Sequence, residues 1–135
     1  MYKHTVQYYE TDRMGITHHS NYIRFMEEAR VCFLNEIGFG YEHFEENGII
    51  SPVVSVKCEY KKTSTFGDIV SISLAPKEIK AARLIMEYKM TNQNGELVLS
   101  GESEHCFIKG GKILRIERDL PAFHLALKEK IGVFS

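Results

Sequence analysis

The 135 residues predict an α+β domain in which one long helix packs on a strongly curved antiparallel sheet. Two observations carry that prediction. A stretch near the N-terminus has apolar residues at the 3/4 spacing of one helical face, and nearly everything after Ile49 alternates apolar and polar with period two. Glycine-containing pairs between the alternating runs supply hairpin turns, which make the strands antiparallel.

In chain order, residues 2–9 are rich in Tyr, Thr and Val and predict a strand, followed by the polar, turn-prone loop Glu10-Thr11-Asp12-Arg13-Met14-Gly15. The helix is read from Tyr22, Phe25, Met26, Ala29, Cys32, Phe33 and Ile37, with Ser20 or Asn21 as its cap and Gly38 at its end. Ile23, Val31 and Leu34 widen the apolar coverage beyond one stripe, as suits a helix wrapped by a sheet. Ile50, Val54, Val56, Cys58 and Tyr60 then oppose Ser55, Lys57 and Glu59. Val70, Ile72 and Leu74 oppose Ser71 and Ser73, and Leu84, Met86, Tyr88 and Met90 oppose Arg83, Glu87 and Lys89. Asn94-Gly95 turns into a strand from Glu96 to Lys109, and Gly110-Gly111 marks a second turn. Asp119 is placed to cap a short terminal helix with Pro121 in its first turn and Phe123, Leu125, Ala126 and Leu127 as its apolar surface. One main helix cannot cover a five-strand sheet, so an open edge or face predicts a homo-oligomer.

Composition narrows the function classes. With 44% hydrophobic and 26% charged residues the chain builds a packed core rather than a disordered coil, and its length suits a single domain over 1–135. Seventeen basic against eighteen acidic residues leave a formal charge of −1, which argues for no nucleic-acid partner and no anionic membrane surface. The longest stretch without Asp, Glu, Lys or Arg, Met14 to Ile23, is half polar and far short of the ~20 apolar residues a spanning helix needs. Lys3, His4, Thr5 and Gln7 interrupt the position of a secretory signal. Cys32, Cys58 and Cys106 are odd in number and sit in apolar patterns, which predicts buried thiols and a cytoplasmic location.

Chemistry concentrates between Tyr8 and Tyr22, where acid, base and hydroxyl groups lie between a strand and a helix start. Free N–H groups and the helix dipole favour developing negative charge there, and Asp12 shares the loop, where it can act on a neighbouring electrophile. The plainer reading makes Asp12 a turn residue and leaves His18 and His19 without a task. Glu10, Asp12, His18 and His19 are of metal-ligand type. Adjacent histidines point apart, however, and no H-E-x-x-H or C-x-x-C is present, so no metal is expected. No cysteine lies in the loop to serve as nucleophile, and phosphate-loop and dinucleotide fingerprints are absent.

The run Tyr8 to Arg30, with Asp12, Gly15, His19, Asn21-Tyr22 and Phe25-Met26-Glu27-Glu28-Ala29-Arg30, closely resembles the signature of the hot-dog-fold acyl-CoA thioesterases of the 4-hydroxybenzoyl-CoA and Tol-Pal-associated type. The resemblance extends along the chain. Tyr60-Lys61-Lys62 through Phe66-Gly67-Asp68-Ile69-Val70 is similar to the family's second-strand end and the turn into its third strand. The chain departs from the pattern at Arg13-Met14, where members carry a small pair, and Glu10 stands for their second acidic residue.

The resemblance implies a sheet wrapped around the long helix, a dimer or dimer of dimers, and active sites at the protomer interface. It implies hydrolysis of an acyl-CoA or acyl-carrier-protein thioester. Asp12 would be the catalytic carboxylate, as nucleophile or general base, and the His19 backbone N–H would polarise the thioester oxygen with its side chain assisting. A thioester is already activated, so no metal or organic cofactor is required. Lys80 and Arg83 resemble the place where related enzymes meet CoA phosphates, with Lys61 and Lys62 as weaker candidates; solvated turn charges are the alternative. Two rival readings keep the fold. Hot-dog hydratases and dehydratases carry a different Asp/His spacing followed by Asn-Pro, which is lacking here, and a non-catalytic acyl-CoA-binding module would not need Asp12 with His19.

Overall fold

In the computed structural model, which describes residues 1–135, a five-stranded antiparallel sheet curves around one long helix. The elements in chain order are β1 (Tyr2–Thr5), α1 (Ser20–Glu36), α2 (Tyr41–Glu46), β2 (Ile49–Ile50), β3 (Val53–Tyr60), β4 (Ile69–Lys80), β5 (Arg83–Thr91), β6 (Leu97–His105), β7 (Ile108–Lys109), β8 (Lys112–Ile113), α3 (Ile116–Asp119) and α4 (Pro121–Lys128). The main sheet has the order β1-β4-β5-β6-β3, and β2, β7 and β8 form a small second sheet. No helix is long and apolar enough to cross a membrane.

The helix forms where the 3/4 spacing places it. Tyr22, Phe25, Met26, Ala29, Phe33 and Leu34 turn inward, and Gly38, at φ 85°, ends the run in a left-handed conformation that glycine adopts without strain. Period two is equally plain in the sheet: Val70, Ile72 and Leu74 of β4 and Leu84, Met86, Tyr88 and Met90 of β5 are all buried in the core under α1. At Gly101 an added Cβ would lie 2.8 Å from the Lys57 carbonyl and 3.5 Å from Met26 Cε, so glycine is what lets α1 and β3 close on β6. Within the same core Phe44, Phe107 and Phe123, with ring centroids 5.0–5.3 Å apart, pack where α2 and α4 meet it.

One polar network is enclosed in this core. Arg30 donates to Tyr41 Oη (3.0 Å) and Tyr88 Oη (3.1 Å), Tyr88 Oη contacts Ser103 Oγ, and Ser103 Oγ meets His105 Nε2 at 2.6 Å. Burial, reinforced by the nearby Arg30 charge, depresses His105 to a pKa of about 3, so the ring is neutral. The Arg30 guanidinium remains charged on hydroxyl partners alone.

Several elements differ from the sequence reading for local reasons. The predicted strand over residues 2–9 stops at Thr5; Val6 turns into the core and Tyr8–Glu10 form a 3₁₀ turn. Neither Ser20 nor Asn21 caps α1 with its side chain. The Ser20 N–H is met instead by the His18 ring, and Asn21 is drawn to the Glu10 carbonyl. Asp119 caps no helix ahead of it; it closes the α3 turn behind it by accepting the Arg115 N–H at 2.8 Å. Ser51-Pro52 splits the strand expected from Ile50 to Tyr60, and Glu96–Lys109 breaks into β6 and β7. Of the three free thiols only Cys106 is buried; Cys32 and Cys58 are half-buried. The helix α2 was not predicted, because six residues with only Phe44 buried show no period.

The strand β3 forms one edge of the sheet. By period two Val56 and Tyr60 share the face of Cys58, whose Sγ lies 3.7 Å from Met26 Sδ, yet they remain 37% and 51% exposed. Ile23 on α1 and Val53 and Val54 on β3 are exposed as well, leaving an apolar strip along a free strand edge.

Candidate active site

Asp12 sits in a tight loop between two short pairings. Thr11 pairs with Thr17, the Asp12 N–H donates to the Ile16 carbonyl at 2.8 Å, and Gly15, at φ 77°, donates to the Asp12 carbonyl at 3.0 Å. The left-handed Gly15 lets the chain reverse within this span. Thr65 Oγ1 donates to the Gly15 carbonyl at 2.7 Å and fastens the loop to the segment before β4. Asp12 Oδ1 accepts the Met14 N–H at 2.8 Å, while Oδ2 has no partner in the protein. The half-buried carboxylate is thus oriented through one oxygen and available through the other.

The start of α1 stands opposite. The His18 N–H goes to the Glu10 carbonyl, Asn21 N–H to the His18 carbonyl, Tyr22 N–H to the His19 carbonyl, and Ser20 N–H to His18 Nδ1. The His19 N–H has no partner, and it lies at the positive end of a 17-residue helix. The His19 ring stacks on His18 at 4.3 Å and meets the edge of Tyr60 at 6.4 Å.

Asp12 and His19 line one cleft of about 360 Å³, walled by Ile16, Tyr22 and Tyr60 and bordered by Lys61 and Lys62. Behind the wall Tyr22 Oη contacts Ser64 Oγ at 2.8 Å, and Ser64 Oγ contacts Thr17 Oγ1 at 2.6 Å; this buried hydroxyl chain holds loop and helix together. Lys61 lies 3.2 Å from Glu59, and Lys62 pairs with Glu96.

The loop, the helix start and Lys61-Lys62 are therefore brought together. Lys80 and Arg83 are not part of this cleft. They face each other at the β4–β5 hairpin, with Lys80 eleven residues along β4 from Ile69, a path of roughly 35 Å along the strand at ~3.3 Å per residue, and so lie at the end of the sheet opposite Asp12. Glu10 also departs from the group of potential metal ligands, since its carboxylate bonds to His4 Nε2 and to the Gln7 N–H. Ser64 and Ile16 were not legible as site residues: one serine in a polar loop carries no pattern, and its neighbours across 47 residues of chain are set by folding alone.

The model of the thioesterase-like superfamily matches residues 6–130. An Aquifex aeolicus protein named "Putative esterase" is 35% identical over 120 residues, covering 89% of this chain and 93% of its own. A 1,4-dihydroxy-2-naphthoyl-CoA hydrolase of Thermosynechococcus vestitus is 27% identical over 109 residues, covering 80% and 75%. Among solved structures, a DHNA-CoA thioesterase from Staphylococcus aureus superposes with a TM-score of 0.88 at 32% identity, covering 95% of this chain and 87% of its own.

Proposed function

The chain belongs to the thioesterase-like superfamily and is a thioester hydrolase, and from that premise we propose that it cleaves acyl-CoA thioesters with Asp12 as the catalytic carboxylate and the His19 N–H as oxyanion donor. The observation that carries this reading is the pairing, in one cleft, of an oriented carboxylate whose second oxygen is unbonded with an unpartnered N–H at a helix start. Asp12 Oδ2 either attacks the thioester carbonyl carbon or takes a proton from a water that does. In both routes the carbonyl oxygen gains the charge that the His19 N–H and the helix dipole stabilise, and the C–S bond breaks to release thiolate. Where Asp12 attacks, the resulting acyl–Asp12 anhydride is hydrolysed by a water that regenerates the carboxylate; where water attacks, the acid forms directly. In both routes one water is consumed and its proton passes to the departing thiolate, so that a free acid and a thiol result with no step that calls for a metal or an organic cofactor. The Asp/His spacing followed by Asn-Pro that marks hot-dog hydratases and dehydratases is lacking in this chain, which favours hydrolysis over hydration. The ring walls of Tyr22, Tyr60 and His19 favour a planar, aromatic acyl group, in keeping with the aryl-CoA names of two relatives.

The active unit in this reading is a homo-oligomer, with dimers able to pair into tetramers. The free β3 edge and its apolar strip support it, since pairing with a second β3 would satisfy the edge and cover Val56, Tyr60 and Ile23. Antiparallel pairing of two β3 strands would set the Tyr60 end of one copy beside the Val53 end of the other. The partner copy's hairpin at Lys80 and Arg83 would then stand at the same end as Asp12, a few strands away. Lys61 and Lys62 in the chain's own cleft, and Lys80 and Arg83 across the interface, are the cations proposed for CoA phosphates. The free thiols fit the reducing cytoplasm as the place of action.

Thiol release from a panel of straight-chain and aryl acyl-CoAs, with and without EDTA, tests the reading. Parent protein should hydrolyse an aryl thioester in either buffer, and Asp12→Asn should lower kcat by ~10²-fold or more with an unchanged thermal midpoint. A purified Asp12→Asn protein with parental turnover would sink the assignment.

A further inference from the structure

Glu10 is only 5% exposed, stands two residues before Asp12, and works in two directions. Its carboxylate turns away from the cleft, where Oε1 accepts the Gln7 N–H at 2.7 Å and the His4 Nε2–H at 2.8 Å. Its carbonyl turns toward α1 and accepts the His18 N–H at 2.8 Å and Asn21 Nδ2–H at 2.9 Å. His4 is itself fixed, stacked on Phe25 at 4.0 Å with Nδ1 3.2 Å from Glu28. A buried carboxylate is costly unless it is bonded, and here its bonds anchor the backbone arm that leads into Asp12. Asn21, 8% exposed, spends its amide on the same anchor instead of capping its own helix.

We propose that Glu10 and Asn21 are positioning residues: together they clasp the arm before Asp12 to the start of α1 and so set the separation between the Asp12 carboxylate and the His19 N–H. This inference rests on the roles given above to Asp12 and His19. The bonds within Thr11–Thr17 shape the loop tip, but they do not fix the tip relative to the helix. Ser64 joins Thr17 to Tyr22 on the far side of the loop, and Glu10 is the tie on the arm that carries Asp12. Neither Glu10 nor Asn21 lines the cleft that holds Asp12 and His19, and the Glu10 side chain borders a separate groove with His4 and Glu28, so the influence proposed for them is on the distance between two groups that do line it. Catalysis is sensitive to that distance, since an error of ~1 Å costs on the order of 10²-fold in rate.

Asn21→Leu keeps the size of the side chain without its donor, Glu10→Ala removes the carboxylate, and Glu10→Gln retains an oxygen that accepts the Gln7 N–H. With the acyl-CoA that the parent hydrolyses fastest, Asn21→Leu and Glu10→Ala should lower kcat about 10- to 100-fold with KM within about threefold. Glu10→Gln should recover kcat to within about threefold of the parent, and the double variant should lose little more than the worse single one. Hydrogen exchange in Asn21→Leu should quicken over residues 11–18 and stay unchanged over Phe25–Phe33, a readout that holds even if Glu10→Ala folds poorly. Parental kcat in both single variants beside an inactive Asp12→Asn would overturn the clasp alone. Loss of kcat accompanied by loss of protection along all of α1 would also overturn it, by showing a merely structural role. A fully active Asp12→Asn would overturn the clasp and the reading of the site together.

Discussion

Proline at position 19 removes one hydrogen-bond donor from the cleft and asks little of the fold. His19 has φ −56°, close to the roughly −65° that the proline ring imposes, and it lies just before the first residue of α1. Its N–H bonds to nothing in the protein, so no internal hydrogen bond is lost. What is lost, in the proposed reading, is the donor to the thioester oxygen as it gains charge. A single donor of that kind is worth about 3–4 kcal/mol in the transition state, so His19→Pro should lower kcat by ~10²–10³-fold. His19→Ala is the necessary partner experiment, because it keeps the N–H and removes the ring that stacks on His18 and meets Tyr60. Thiol release under saturating acyl-CoA, with KM measured beside kcat and thermal midpoints compared, reads both. The expected pattern is a proline variant at least ~10²-fold slower than the alanine variant at similar stability. Equal rates for the two would refute the backbone donor, and a well-folded proline variant with parental kcat would remove His19 from the mechanism.

Val56→Lys places a charge on the exposed apolar strip of β3; light scattering should show the parent at two or four times the mass of one chain and the variant at one, with turnover lost. A parent that is monomeric and fully active would refute the shared site. His105 makes a distinct pH prediction, because its pKa is about 3 when folded against about 6.5 unfolded. The unfolded chain then binds the extra proton, so its contribution to stability is complete above about pH 6.5 and is lost as pH falls toward 3, with a slope of at most about 1.4 kcal/mol per pH unit. Urea midpoints between pH 7 and 4 should fall less steeply for His105→Gln than for the parent, and parallel slopes would refute a buried neutral ring.

The candidate site was legible to an uneven degree. Asp12, Gly15, His19 and Asn21 lie within ten residues, so their spacing is local, and a local pattern survives in one dimension. The structure then reassigned roles within it. Asn21, a good helix cap by residue type, serves Glu10 instead, and His18 caps with a ring that residue-type rules do not anticipate. Lys80 and Arg83 stand out in sequence as a basic turn, but the length of β4 carries them to the opposite end of the sheet. Lys61 and Lys62, the weaker candidates in sequence, end at the cleft because β3 finishes beside α1.

Periodicity was sufficient for the helix and for the face that each strand turns inward, since 3.6 and 2.0 residues per repeat are properties of the backbone and show wherever one side is buried. Tertiary structure alone decided which of those faces are covered. Val56 and Tyr60 alternate as faithfully as Met86 and Tyr88, yet the former stay exposed on an edge strand while the latter lie under α1. Alternation records that a face is apolar, not which surface lies against it. The same limit applies to Ser64, Thr17 and Tyr22, and to Arg30, Tyr88, Ser103 and His105: hydrogen bonds between residues far apart in the chain depend on strand order and register, which no short window of sequence contains.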